Sequence, residues 1–141
     1  MNDSTVAALN AAGLDPIAVS DLIEITLAED LAGGEDVTTV ATVPLDQRAT
    51  LDLVARQAGI AAGIPVAAAV FENVNLALEI KFVAGDGDRV ERGDVLISIT
   101  GPTHDLLRAE RPALNLLGHL GGIATLTAAW VAAVAGTGAA V

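Results

Sequence analysis

The stretch THDLLRAERPALNLLGHLGGIAT, residues 103–125, is the most informative part of this 141-residue chain. Its leucines and alanines recur at spacings of three and four residues, which predicts an amphipathic α-helix. Arg108, Arg111, Asn115 and His119 then lie on one face of that helix, because residues three and four positions apart share a side. The chain has 18 acidic residues and only 7 basic ones, and two of the basic residues lie on this face.

This polar face has two interpretations. Exposed helix faces are usually solvated, but this one lacks the Glu and Lys that normally fill them. A planar guanidinium with five donors is suited to bidentate binding of a carboxylate or phosphate, so an anion-binding face is the second interpretation. Glu110 lies off this face among leucines, and we expect a structural ion pair for it if it is buried.

The ends and the middle of this helix carry further signals. Thr103 is a candidate N-cap, since a threonine hydroxyl can accept a hydrogen bond from the first turn. Pro112 directly follows Arg111 and lacks a backbone donor. It is therefore expected to kink or restart the helix and so to affect the direction in which Arg111 points.

An earlier helix is predicted from Asp15, an N-cap, and Pro16, a first-turn proline. Gly33-Gly34 should end it, and its apolar face is predicted to contain Ile17, Leu22, Ile23, Leu27 and Leu31. Glu29 and Asp30 fall in its last turn, where the helix dipole disfavours acids, so another group must favour them there.

The segment EDVTTVATVPLDQ, residues 35–47, is predicted to be a loop. It raises the possibility of a magnesium cluster formed by Glu29, Asp30, Asp36, Thr38 and Thr39. We favour instead a loop in which Asp and Thr side chains bond to the backbone.

The middle of the chain alternates between apolar and polar residues, which predicts strands. Residues 49–63 are expected to form one strand that bends at Gly59, Pro65 to open a short helix, and residues 77–84 to form a second strand. The segment GDGDRVERGDVLISI, residues 85–99, predicts a hairpin that continues into a further strand, which Gly101-Pro102 ends. Helices at both ends with strands between them predict an α+β fold with a mostly antiparallel sheet.

Composition excludes several classes of function. The net charge of −11 argues against nucleic-acid binding, and the absence of cysteine removes disulfides, thiolate zinc sites and cysteine nucleophiles. Asp86, Asp88 and Asp94 do not have the spacing of a calcium loop and indicate turns. The absence of cysteine is compatible with the cytoplasmic location that we expect, and the N-terminus lacks the pattern of a signal peptide.

Residues 112–141 contain no Asp, Glu, Lys or Arg and exceed the roughly 20 apolar residues of a membrane span. The segment is rich in Gly, Ala and Thr and includes Asn115 and His119. We therefore expect a helix that packs against another protein surface, and no membrane.

Four segments, in order, resemble the quinolinate phosphoribosyltransferase family of NAD biosynthesis. AERPALNLLGHLGGIATLTAAWV resembles its ERxxLN and SGIAT signature, and LAEDLAGGEDVTT resembles its N-terminal acidic and TT element. LVARQAGIAAG resembles its first long strand, and GDGDRVERGDVLISITGP resembles its central hairpin. The resemblance extends from about residue 17 to residue 141.

The resemblance implies a specific reaction. Family members convert quinolinate and phosphoribosyl pyrophosphate into nicotinate mononucleotide, pyrophosphate and CO2, with Mg2+. An N-terminal α+β domain precedes an α/β barrel, and two subunits pair head to tail as a homodimer. The arginine of the ER pair, here Arg111, would reach the quinolinate carboxylate in the partner subunit. Glu110, Arg108, Asn115 and His119 would support it.

The sequence also departs from the family. Gly121 stands where the motif usually has Ser, and the family's barrel residues, which include the expected Mg2+ ligands, are not among these residues. We therefore expect residues 1–118 to form the N-terminal domain and residues 119–141 a helix and first-strand start of a truncated barrel. No catalytic residue is expected in this chain, which should be inactive alone. The alternatives are a non-catalytic interaction or dimerisation module, and a related phosphoribosyltransferase with another substrate.

Overall fold

The computed structural model describes residues 1–31, 34 and 37–141, so the predictions for Gly33 and Asp36 lie outside the described residues. The described part is an α+β fold, as predicted. Its elements in chain order are α1 (Asp3–Ala11), α2 (Pro16–Leu31), α3 (Val37–Thr42), β1 (Arg48–Val54), β2 (Gly59–Ile60), α4 (Ile64–Val74), β3 (Glu79–Phe82), β4 (Arg89–Val90), β5 (Val95–Pro102) and α5 (Thr103–Val134).

The main sheet has three antiparallel strands in the order β1-β5-β3. Successive side chains of a strand point to opposite sides, so the alternating sequence gives the sheet one buried face and one more exposed face. Leu53 pairs with Ile97 on the buried face, and both are at most 2% exposed. On the other face the hydroxyls of Thr50 and Thr100 lie 2.8 Å apart. Helices α4 and α5 pack together over the sheet.

The predicted long strand over residues 49–63 and the predicted hairpin over residues 85–99 are both wrong in detail. The chain leaves the main sheet after Val54, and β2 pairs with β4 in a separate two-stranded sheet. A turn lies on each side of β4. In these turns Asp88 accepts a hydrogen bond from the Gly85 amide and Asp94 accepts one from the Glu91 amide, each at 2.8 Å. The side chains of these two aspartates therefore stabilise turns, as predicted.

Helix α1 is not predicted by the sequence, and it depends on a distant acid. Glu72 on α4 is 2% exposed, and its carboxylate accepts hydrogen bonds from the Asn2 amide at 2.8 Å and the Thr5 hydroxyl at 2.7 Å. A carboxylate at a helix N-terminus satisfies free donors and matches the helix dipole. Glu72 therefore acts as the cap of α1 from another helix.

Helix α2 begins as predicted, with Asp15 accepting a hydrogen bond from the Ile17 amide at 2.9 Å. Its predicted apolar face is partly wrong, because Ile17 is 72% exposed and Leu22 is 49% exposed. The buried residues are spaced by four and include Val19, Ile23 and Leu27. The predicted loop over residues 35–47 contains the short helix α3.

Helix α5 is continuous through Pro112, so the predicted restart is wrong. Pro112 is fully buried and cannot donate to the carbonyl of Arg108, but packing against α4 stabilises the helix around it. Thr103 is not a side-chain cap, since its buried hydroxyl has no hydrogen-bond partner. Its amide instead donates to the carbonyl of Gln47 at 2.9 Å.

Helix α5 is long and apolar enough to cross a membrane. Helices α1 and α2 reach that length and composition only if they are taken together as one span with a 108° bend. One or two such helices in the described part are weak evidence for a membrane protein, because soluble core helices also meet these criteria. Residues 135–138 form turns and residues 139–141 have no regular structure, so the first-strand start of a barrel stays a prediction.

Candidate functional site

The predicted anion-binding residue, Arg111, is exposed and only loosely paired. Its side chain is 75% exposed, and its Nη1 lies 3.4 Å from Oδ1 of Asp30, whose side chain is 23% exposed. A single contact of this length leaves most of the guanidinium donors in solvent. The group therefore remains able to bind an anion.

The other residues of the polar face are also exposed: Arg108, Asn115 and His119. In the part of the chain that the structure describes, none of the three has a side-chain hydrogen bond or ion pair. Arg108 lines a groove of about 430 Å³ between α2, α4 and α5, whose other lining residues are Glu24, Leu27, Ala28, Gly34, Asn73 and Val74. The structure thus places all four polar residues on one solvated side of α5.

Glu110 does not form the expected structural ion pair. It is half-buried, and among residues 1–31, 34 and 37–141 no cation lies within 4 Å of its carboxylate. The reason is geometric, because adjacent residues of a helix do not face each other and no cation lies three or four positions from Glu110 on α5.

Residues 121–125, which correspond to the SGIAT part of the family signature, have a structural role in this chain. The hydroxyl of Thr125 accepts a hydrogen bond from the Ile60 amide at 2.9 Å, and a Cβ at Gly59 would lie 2.6 Å from that hydroxyl. A Cβ at Gly121 would meet only the Ile60 carbonyl oxygen, at 3.5 Å. Residues 121–125 therefore pack α5 against β2 through the small residue Gly121 and the hydroxyl of Thr125.

The described residues do not offer a magnesium site. Among them, no three His, Asp or Glu side chains converge in a way that could hold a metal ion. The two carboxylate oxygens of Asp86 accept hydrogen bonds from the Gly63 and Ile64 amides at 2.9 Å. The role of Asp86 is to cap α4.

Comparison with known proteins shows the family. Residues 36–121 match the family described as "Quinolinate phosphoribosyl transferase, N-terminal domain". The chain belongs to this family. The matched segment includes α3, the strands, α4 and the part of α5 that carries Arg111.

Curated relatives extend the match. The chain is 42% identical over 122 residues to a nicotinate-nucleotide pyrophosphorylase [carboxylating] of Mycobacterium leprae, covering 85% of this chain and 43% of the relative. It is 38% identical over 106 residues to a chloroplastic protein of the same description from Arabidopsis thaliana, covering 75% of this chain and 30% of the relative.

Solved structures show the same fold. The NadC protein of Streptococcus pyogenes superposes with a TM-score of 0.82 at 37% identity, covering 86% of this chain and 43% of the neighbour. A nicotinate-nucleotide pyrophosphorylase of Francisella tularensis has a TM-score of 0.79 at 25% identity and is 44% covered. The chain thus spans less than half the length of these relatives.

Sequence reasoning missed the partner of Arg111. Asp30 and Arg111 are 81 positions apart, and no local pattern connects them. The available signal was the acid in the last turn of α2, where the dipole disfavours it. Arg111 supplies the compensating positive charge that this placement requires.

Proposed function

We propose that this chain is the N-terminal part of a quinolinate phosphoribosyltransferase. The enzyme would convert quinolinate and phosphoribosyl pyrophosphate into nicotinate mononucleotide, pyrophosphate and CO2 in NAD biosynthesis. Membership of the family and the names of the relatives support this assignment. The coverage of about 43% of the first relative supports the view that a larger part of the enzyme lies outside these residues.

The exposed guanidinium of Arg111 is the observation that carries the proposal. Quinolinate is a dianion, and a charged bidentate donor can fix the orientation of its ring nitrogen relative to the ribosyl carbon. Positive charge beside the carboxylates would also stabilise the charge that moves during transfer and decarboxylation. In this proposal Arg111 contacts the quinolinate carboxylate in trans, in a head-to-tail homodimer.

The second half of α5 supports an assembly of this kind. Ile123, Leu126, Trp130 and Val131 are each more than half exposed. Soluble monomers rarely leave such a run of large apolar side chains in water, so this surface calls for a cover. We propose that residues 119–141 begin the barrel domain and that residues 1–118 form the substrate-covering and dimerisation domain.

The location of the Mg2+ ligands, the compartment and the inactivity of the chain alone follow from the same assignment. The Mg2+ ligands would lie in the barrel, and the enzyme would act in the cytoplasm. The names of the plant relatives include chloroplastic and mitochondrial forms, so the relatives as a group do not share one compartment. The chain alone would lack activity because the barrel contributes most of the site.

A chimaera tests the proposed role of Arg111. This chain replaces the matching N-terminal part of the Mycobacterium leprae relative, and formation of nicotinate mononucleotide is measured with both substrates and Mg2+. Arg111→Ala should raise the KM for quinolinate by about tenfold or more, since a hydrogen bond to a charged group contributes about 1.5–3 kcal/mol. The KM for phosphoribosyl pyrophosphate should not change.

Two further measurements complete the test. Arg92→Ala is the matched control, because Arg92 is an exposed arginine in the turn before β5, and it should leave both KM values unchanged. Adding the unmodified 141-residue chain to the Arg111→Ala chimaera should restore activity if the arginine acts across subunits. An unchanged KM for quinolinate in Arg111→Ala would refute the proposed contact.

A further inference from the structure

The ion pair between Asp30 and Arg111 has a feature that burial alone does not explain. Asp30 lies in the last turn of α2, where the partial negative charge of the helix end disfavours a carboxylate. Glu29 lies beside it, is exposed, and has no ion pair within the described residues. Only Asp30 is compensated by a cation, and that cation is the proposed substrate-binding group.

The contact orients Arg111 without saturating it. Asp30 is the more enclosed partner, with 23% of its side chain exposed against 75% for Arg111. The 3.4 Å contact involves Nη1 alone. The side-on pair of donors, Nε and Nη2, therefore remains free for a bidentate contact with another carboxylate.

We infer that Asp30 is a positioning residue, which holds the Arg111 guanidinium so that its Nε–Nη2 edge faces a dicarboxylate substrate. The inference rests on the proposed function for its ligand but not for its geometry. An arginine side chain loses considerable rotamer freedom when it is fixed, and a guanidinium that is held in advance loses less on binding. Because the guanidinium is 75% exposed and makes a single 3.4 Å contact, the pair is weak enough to let the guanidinium adjust to the substrate.

Kinetics of the chimaera test this role. Asp30→Ala should raise the KM for quinolinate about three- to fivefold, the effect of losing one partly exposed ion pair, and change kcat less than about twofold. Asp30→Asn keeps the Oδ1 acceptor, so it should stay within about twofold of the parent. Glu29→Ala, the neighbouring acid, should change neither constant.

The double variant of Asp30 and Arg111 gives a sharper test of whether Asp30 acts through Arg111. If Asp30 acts through Arg111, the double variant Asp30→Ala/Arg111→Ala should be no worse than Arg111→Ala alone. Effects that multiply, or an equal effect of Glu29→Ala, would overturn the positioning role. A fall in KM with both Asp30→Ala and Asp30→Asn would also overturn it, because this would mean that Asp30 acts only by repelling the anion.

Nuclear magnetic resonance on the 141-residue chain tests the geometry separately from the enzyme. Relaxation of the Arg111 15Nε should show a more ordered group than that of Arg92, and Asp30→Ala should remove the difference. Equal mobility of the two arginines in the parent chain would overturn the inference. Ordered Arg111 in the parent, together with an unchanged KM in the Arg111→Ala chimaera, would show that Asp30 holds Arg111 and would refute the proposed contact of Arg111 with quinolinate.

Discussion

Removing the Glu72 carboxylate should destabilise the whole domain, because this group connects α4 to the start of α1. Glu72 is 2% exposed and accepts hydrogen bonds from the Asn2 amide and the Thr5 hydroxyl. Thr5 is itself fully buried, so Glu72→Ala leaves its hydroxyl without a partner. An unsatisfied buried polar group costs about 1–3 kcal/mol, and the cavity left by the side chain adds to that cost.

We therefore expect Glu72→Ala to lower the free energy of unfolding by about 3 kcal/mol, measured by urea denaturation. Glu72→Gln keeps an acceptor but loses the charge and should cost about 1–2 kcal/mol. Glu79→Ala is the matched control, since Glu79 forms only a 3.8 Å pair with Arg48 and both side chains are more than half exposed. It should cost less than about 1 kcal/mol.

Hydrogen exchange locates the effect. In Glu72→Ala the amides of α1 should lose protection first, because this helix loses the group that satisfies its N-terminal donors. The reasoning is refuted if Glu72→Ala unfolds at the same urea concentration as Glu79→Ala, or if α1 stays as protected as in the parent chain.

Three further predictions concern stability and surface. In thermal unfolding, Gly63→Ala should cost about 1–2 kcal/mol, because Gly63 has φ +88° and a Cβ there would lie 2.6 Å from Leu120. Gly122→Ala should instead stabilise the chain by about 0.5–1 kcal/mol, because Gly122 lies within α5 and a Cβ there would meet no other atom within 4 Å. Asp86→Ala should cost about 0.5–2 kcal/mol in the same assay, because α4 loses both cap hydrogen bonds, and Asp86→Asn should cost less. Trp130→Gln should reduce binding of a hydrophobic dye and self-association while leaving the unfolding midpoint nearly unchanged, because Trp130 is 57% exposed; an unchanged dye signal would contradict this.

The sequence predicted the elements that depend on interactions between residues close together in the chain. The alternating strands of the main sheet, the Asp15 cap of α2 and the proline at the start of α4 follow from patterns within a few residues. The sequence placed β2 within one long strand and β4 within a hairpin, and it did not predict that the two pair with each other, since a two-residue strand carries no period from which its partner could be read.

The missed features depend on contacts between distant residues. Helix α1 is fixed by Glu72, which is 67 positions from Thr5, and Arg111 is oriented by Asp30, 81 positions away. The continuity of α5 through Pro112 likewise depends on burial against α4, which outweighs one missing backbone hydrogen bond. A single sequence does not identify the partners in such pairs, although the acid in the last turn of α2 indicates that a compensating group is needed there.

Helix α5 joins the two parts of the proposed site. All of its buried residues lie between Thr103 and Leu117, and no residue of its remaining length is buried. Arg111 lies in this packed part, whereas Trp130 lies in the exposed part beyond Thr125, 19 residues and therefore about 28 Å away along one continuous helix. Because α5 is continuous through Pro112, a surface that covers its exposed C-terminal part also determines the direction of the whole helix. The position of Arg111 relative to that surface is then determined as well. A guanidinium placed in this way suits a site whose other groups belong to the covering surface.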